Sequence, residues 1–149
     1  MRRSSIPYAL LIFSAAGLFD AAFLASRYFR GTPVVCSLLD GCEIVTTSAY
    51  AAIGPVPVAL LGVLFYAAVF FGAALYLGTG RERVLRAIAY LTIPGFLATL
   101  WFVFVQAFIL DAYCEYCLIS ALTSTVLFIL GIIVLWRTQR RSLPLSSPS

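Results

Sequence analysis

The sequence predicts an all-α integral membrane protein, a four-helix bundle with an outer lid, part loop and part short helix, between helices one and two. Three observations carry this. Of 149 residues, 62% are hydrophobic and 11% charged, too few polar groups to clothe a water-soluble surface of this size. A hydrocarbon core about 30 Å thick takes roughly 20 apolar residues per helical crossing, and four such runs occur, at 6–29, 58–77, 87–110 and 116–136. The cationic residues are all arginine and are unevenly placed. Arg2 and Arg3, then Arg81, Arg83 and Arg86, then Arg137, Arg140 and Arg141 fall in the three segments that four crossings put on one side. The other side holds Arg27 and Arg30 against Asp40, Glu43, Asp111 and Glu115. The positive-inside rule then puts both termini in the cytoplasm and all four cysteines at the outer face. A net charge of +4 distributed in this way marks membrane orientation and gives no nucleic-acid footprint.

The membrane domain is expected to span 1–141. Helix one, 6–29, is read as a retained span, because its apolar run exceeds the roughly 7 to 15 residues of a signal-peptide core. It carries Asp20, expected to be structural, through a hydrogen bond in the bundle or a pairing with Arg27. The lid covers 30–57. Thr32-Pro33 and Asp40-Gly41 make its first part turn-rich. In 43–53, Ile44, Val45, Ala49, Ala52 and Ile53 recur at helical spacing, predicting a short helix on the membrane surface. Gly54-Pro55-Val56-Pro57 ends it and leads into helix two. Helix three contains Pro94-Gly95, where a kink is expected. After helix four, 142–149 is rich in serine and proline and is expected to be a disordered cytoplasmic tail.

The chemistry lies in four cysteines. Cys114-Glu115-Tyr116-Cys117 is a C-x-x-C at a helix start, where free backbone N–H groups and the helix dipole favour a thiolate, the form that attacks disulfides and quinones. A bond between them closes so small a loop that it restrains the unfolded chain little. Cys36 and Cys42 sit on the lid, with Asp40-Gly41 forming a turn before the second. A pair on a mobile lid and a pair at a helix start can exchange disulfides through a mixed intermediate. Two structural disulfides and a four-thiolate zinc site are the competing readings. The chain has no histidine, no haem-attachment motif and no nucleotide-binding glycine loop. A redox relay would therefore discharge into a carrier dissolved in the bilayer. A quinone is the expected acceptor, with no metal, and it would meet Cys117 where Tyr116, Phe65 and Tyr66 are near.

These residues resemble the vitamin K epoxide reductase family, in particular its bacterial members that stand in for the disulfide-forming membrane protein B. The resemblance runs through Cys36 and Gly41-Cys42, then Val45, Ser48 and Tyr50-Ala51. It continues through Gly54-Pro55-Val56-Pro57-Val58, Gly62 and Tyr66, and ends in Tyr113-Cys114-Glu115-Tyr116-Cys117-Leu118. Ala16-Gly17-Leu18-Phe19-Asp20 is similar to a Gly-Leu-x-Asp motif common there.

The resemblance implies a membrane thiol-disulfide oxidoreductase that supports disulfide bond formation. A periplasmic thioredoxin-like dithiol protein, supplied in trans, would form a mixed disulfide with Cys36; Cys42 would exchange with Cys114; Cys117 would pass electrons to ubiquinone or menaquinone. Ser48, Val58, Leu61, Phe65 and Ala121 are the expected quinone contacts, with Ser48 matching the family's hydroxyl position. Animal members that reduce the epoxide carry Asn at the place of Val58 and Tyr at the place of Ala121. These departures weaken the alternative of a vitamin K quinone or epoxide reductase. A disulfide-stapled scaffold without activity is the other alternative. The resting pairing, Cys36 with Cys42 or Cys42 with Cys114, stays open.

Overall fold

A computed structural model describes residues 5–142; the expected disordered tail at 142–149 lies, but for its first residue, outside them. Four helices are long and apolar enough to cross a membrane: α1 (Ile6–Phe29), α3 (Val58–Thr79), α4 (Glu82–Phe104, continued by a π-helical turn Val105–Ile109) and α5 (Glu115–Ser142). Between α1 and α3 lie the one-and-a-half-turn helix α2 (Cys42–Thr47), a 3-10 turn (Ala49–Ala51) and the strands β1 (Ala52–Ile53) and β2 (Val56–Pro57).

Helices α1 and α3 pack together, α4 and α5 pack together, and α1 against α5 joins the two halves. Small residues let the backbones come close, as usual where lipid supplies no hydrophobic drive between helices. Gly17 of α1 lies flat against the ring of Tyr66 from α3, where a methyl group would overlap the ring. Gly131 of α5 receives Thr92 and Ala89 of α4 in the same way. The core is Leu10, Tyr66, Val69, Ala73, Ile88, Ala89 and Leu127. Phe19, Phe71, Leu122 and Trp136 point outward. An apolar exterior around a buried seam of small residues suits a bundle whose solvent is lipid.

The helix ends follow local chemistry. Pro7 sits in the first turn of α1, where its missing N–H costs nothing. Gly80, at φ +66, ends α3 in the left-handed conformation that glycine adopts most easily. Helix α4 begins at Glu82, earlier than the apolar run, because Arg83 and Arg86 are good helix formers that hydropathy ignores. The same reason carries α5 through Arg137, Arg140 and Arg141. The helix stays continuous through Pro94.

The lid departs from expectation. In place of one helix over 43–53, the helix stops at Thr47 and Ser48 turns extended (ψ 161°). The hydroxyls of Thr46, Thr47 and Ser48 donate to the carbonyls of Cys42, Glu43 and Val45 at 2.7, 2.6 and 2.8 Å. Such side-chain bonds compete with continued helix. The chain then forms a minimal antiparallel hairpin, Ala52 opposite Pro57 and Ile53 opposite Val56, around Gly54 at φ +62.

The bundle thus has two distinct ends. One gathers the start of α1, the α3–α4 turn and the end of α5, where Arg141 pairs with Glu82 at 3.2 Å. The other gathers the lid, the end of α4 and the start of α5, and holds all four cysteines.

Candidate active site

Helix α5 opens on the C-x-x-C. Cys114 stands at its threshold, its carbonyl accepting from the N–H of Leu118 at 3.0 Å. Cys117 lies one turn inside. Both are free thiols, Cys114 fully buried and Cys117 half-buried. The hydrogen bond with the Cys117 thiol lowers the pKa of Cys114 to about 7; burial opposes this, and the backbone N–H groups of Cys117 and Tyr116 add to the lowering. A thiol near the first turn of a helix is where a thiolate is favoured.

Cys36 and Cys42 are joined in a disulfide, with Cα atoms 5.5 Å apart. Cys42 is 1% exposed and packs in one cluster with Cys114, at 0%, around Val34; Cys36, Val45, Tyr116 and Cys117 pack onto the same cluster. Two contacts seat the lid there. Gly41 lies directly on the backbone of Tyr113, with no room for a side chain between them. The Glu115 carboxylate accepts from the N–H groups of Ser37 at 2.8 Å and Leu38 at 2.9 Å. The residue between the two inner cysteines thus grips the residues just after Cys36. Charge-assisted bonds of this kind are the stronger class.

Through Cys117 the C-x-x-C borders a cavity of about 770 Å³, within the range of roughly 300–1,000 Å³ usual for small-molecule sites. Cys117 lines it, together with all of Ser48, Val58, Leu61, Phe65 and Ala121. Its walls are mainly aliphatic and aromatic, from Leu24, Leu91, Ala98 and Phe102 among others. A flat apolar ring carrying a few oxygen atoms fits this lining. Cys36, Cys42 and Cys114 do not line the cavity, although neighbouring lid residues such as Val34 and Val45 do.

Ser48 borders the cavity with its hydroxyl proton given to Val45. Tyr66, also on the wall, donates its hydroxyl to the Ser120 carbonyl at 2.7 Å and shares bonds with the Ser120 and Thr123 hydroxyls. Asp20 makes no ion pair with Arg27, which instead lies over the Phe23 ring, 5.3 Å from its centroid. One carboxylate oxygen of Asp20, Oδ2, is buried with no partner among the described residues. The four-thiolate zinc arrangement is not formed, since two of its cysteines are bonded to each other and no group of three or more His, Cys, Asp or Glu is placed for a metal among the described residues.

Two residues of the site escaped the sequence reading. Glu115 has partners 77 and 78 positions away, and both are backbone groups that carry no sequence signal. Gln106, in the π-helical turn of α4, accepts from the Cys114 backbone N–H at 2.9 Å. A lone amide inside an apolar span was the available signal for it.

Comparison with known proteins agrees with the geometry. No curated protein matches the chain. Residues 8–132 match the sequence profile of the Vitamin K epoxide reductase family, a stretch that covers every transmembrane helix in whole or in part, the lid and both cysteine pairs. That family comprises membrane oxidoreductases that act between disulfides and quinones. With most of its length matched and its cysteines at one end of a membrane-spanning bundle, the chain belongs to the vitamin K epoxide reductase family.

Proposed function

We propose that the chain reoxidises a separate thioredoxin-like dithiol protein on the periplasmic side and delivers the electrons to a membrane quinone, ubiquinone or menaquinone, in support of disulfide bond formation. One observation carries the reading. The inner pair faces two ways, with Cys114 packed against Cys42 of the lid and Cys117 on the wall of the cavity.

The steps follow from exposure. Cys36 is the more exposed member of the lid pair and Cys42 is buried, so a partner thiolate attacks Cys36 and Cys42 leaves as thiolate. The partner's second thiol displaces Cys36, and the partner departs oxidised. Cys42 then attacks Cys114 of an oxidised inner pair, and Cys117 leaves. Cys36 attacks Cys42 in turn, restoring the lid disulfide and freeing Cys114. Two electrons and two protons have moved to Cys114 and Cys117, the distribution in which the lid pair is bonded and the inner pair is thiol. A bound quinone supplies a two-electron, two-proton acceptor. Cys117 borders the cavity, and the lowered pKa of Cys114 keeps a thiolate ready to close the inner disulfide.

The orientation rests on charge. Arg81, Arg83, Arg86, Arg137, Arg140 and Arg141 lie at the end away from the cysteines, which favours that end for the cytoplasm. Neither Val58 nor Ala121 on the cavity wall can donate a hydrogen bond from its side chain, so the lining favours dithiol oxidation over epoxide reduction. The test is purified protein in detergent given a reduced thioredoxin-like protein and decylubiquinone. Quinol should form, and Cys117→Ala should stop it while trapping a Cys42–Cys114 disulfide visible on a non-reducing peptide map. An unchanged rate in that variant would discard the reading.

A further inference from the structure

We propose that Gln106 holds a ring oxygen of the quinone, donating from its amide Nε2 while its Oε1 stays tied to the backbone of Cys114. The inference rests on the quinone reading above and adds a residue to its site. Gln106 interrupts the apolar run Phe104-Val105-Gln106-Ala107-Phe108 and is only 2% exposed. A primary amide enclosed at such a place is costly unless its donors and acceptor are met.

Its acceptor is met by the Cys114 N–H at 2.9 Å. That bond also decides which way the amide faces, since the reversed amide would set two donors against each other. Nε2 is therefore turned away from Cys114, and no described residue accepts from it. Gln106 lines the cavity together with Cys117. The π-helical turn places it there: its own carbonyl accepts from Ala112 at 3.1 Å, and Leu110 reaches back to Val105 at 2.9 Å. Such turns gather at functional sites because one added residue redirects a side chain.

Four other hydroxyls on the cavity wall are committed elsewhere. Thr46, Thr47 and Ser48 give their protons to carbonyls of α2, and Tyr66 gives its proton to Ser120. A quinone ring oxygen accepts and cannot donate, which complements an amide N–H. Because the other end of the same amide fixes Cys114, Gln106 sets the position of the ring relative to the cysteine pair.

The chain has two glutamines, Gln106 and Gln139, so heavy-nitrogen glutamine labelling gives two side-chain amide signals in a detergent micelle. Decylubiquinone should move the Gln106 signal downfield. A benzene carrying the same decyl tail and no ring oxygens should leave it in place. Gln106→Leu should weaken decylubiquinone binding about 5- to 10-fold, the scale of one neutral hydrogen bond. If that variant does not fold, Gln139→Asn assigns the signals by elimination. Tight binding to the unaltered protein with a still Gln106 signal overturns this inference and leaves the quinone reading standing. A shift produced equally by the oxygen-free probe overturns it as well. Failure of decylubiquinone to bind the unaltered protein defeats the quinone reading, and this inference with it.

Discussion

Two glutamates open helices at opposite ends of the bundle, Glu82 in α4 and Glu115 in α5. Both occupy a first turn, where the helix dipole favours a negative charge. Glu82 meets Arg141, and the pair lies in the open, its side chains 48% and 76% exposed. Glu115 meets two backbone N–H groups of the lid and draws the residues after Cys36 onto the start of α5. The same residue type at the same helical position is a surface staple at one end and a coupling between two redox pairs at the other. What separates them is the partner, a flexible arginine in one case and a loop carrying chemistry in the other.

The contrast can be broken most severely at the sulfurs. Cys114→Ala should lower quinol formation by on the order of 1,000-fold, the scale of losing one member of a group that reacts as a unit, while the thermal midpoint moves little. Loss of activity at the cysteine end without loss of fold is the sign of chemistry; a stapling role would show the reverse.

Acid should act next. The Cys114 thiolate forms as pH rises through about 7, so it is depleted below that point. Quinol formation from the prereduced inner pair in single-turnover mixing should therefore slow as pH falls below about 7, approaching tenfold per pH unit. A rate that is flat down to about pH 5 would remove Cys114 as the ionising group.

Gly41→Ala tests the seating of the lid. Its new methyl group meets the Tyr113 backbone, which has no side chain to swing aside. Overpacking of this kind costs about 1–3 kcal/mol. Trapping of the Cys42–Cys114 disulfide in a Cys117→Ala background should fall by about tenfold or more.

Glu115→Ala should reduce the same trapping by up to about tenfold, a modest figure because the bonds are exposed to solvent. Oxidation of the prereduced inner pair by decylubiquinone should keep its rate, since that route bypasses the lid. Smallest of all, Arg141→Ala should change unfolding stability by less than about 1 kcal/mol and leave electron transfer untouched. An Arg141→Ala effect on exchange as large as that of Glu115→Ala would erase the distinction between the two ends.

The bundle was legible because burial in lipid demands length and apolarity, and both are written in consecutive residues. Helices α1 and α3 could be bounded closely for that reason, whereas α4 and α5 run on into arginine-rich turns that hydropathy scores as loop. The lid was misread after Thr47 because Ala49, Ala52 and Ile53 keep a helical spacing that the hydroxyls of Thr46, Thr47 and Ser48 override. A hairpin with two residues per strand is too short to show any alternation. Of the expected cavity contacts, Ser48, Val58 and Ala121 rest on family resemblance and Phe65 on the aromatic residues near Cys117; these and Leu61 border the same space. Gln106 and Glu115 depend on where distant backbone comes to rest, which no local pattern encodes.

The unequal exposure of the four sulfurs has a consequence for the cell that makes this protein. Cys42 and Cys114 are sealed from solvent, and the lid offers outward contact chiefly through Cys36, beside the protruding Leu38. On the proposed route, stray small thiols diffusing past the membrane meet one guarded terminal and no bare wiring behind it. The arrangement insulates the inner conductor, so current enters from a docked protein and leaks little to the surrounding pool of reductants.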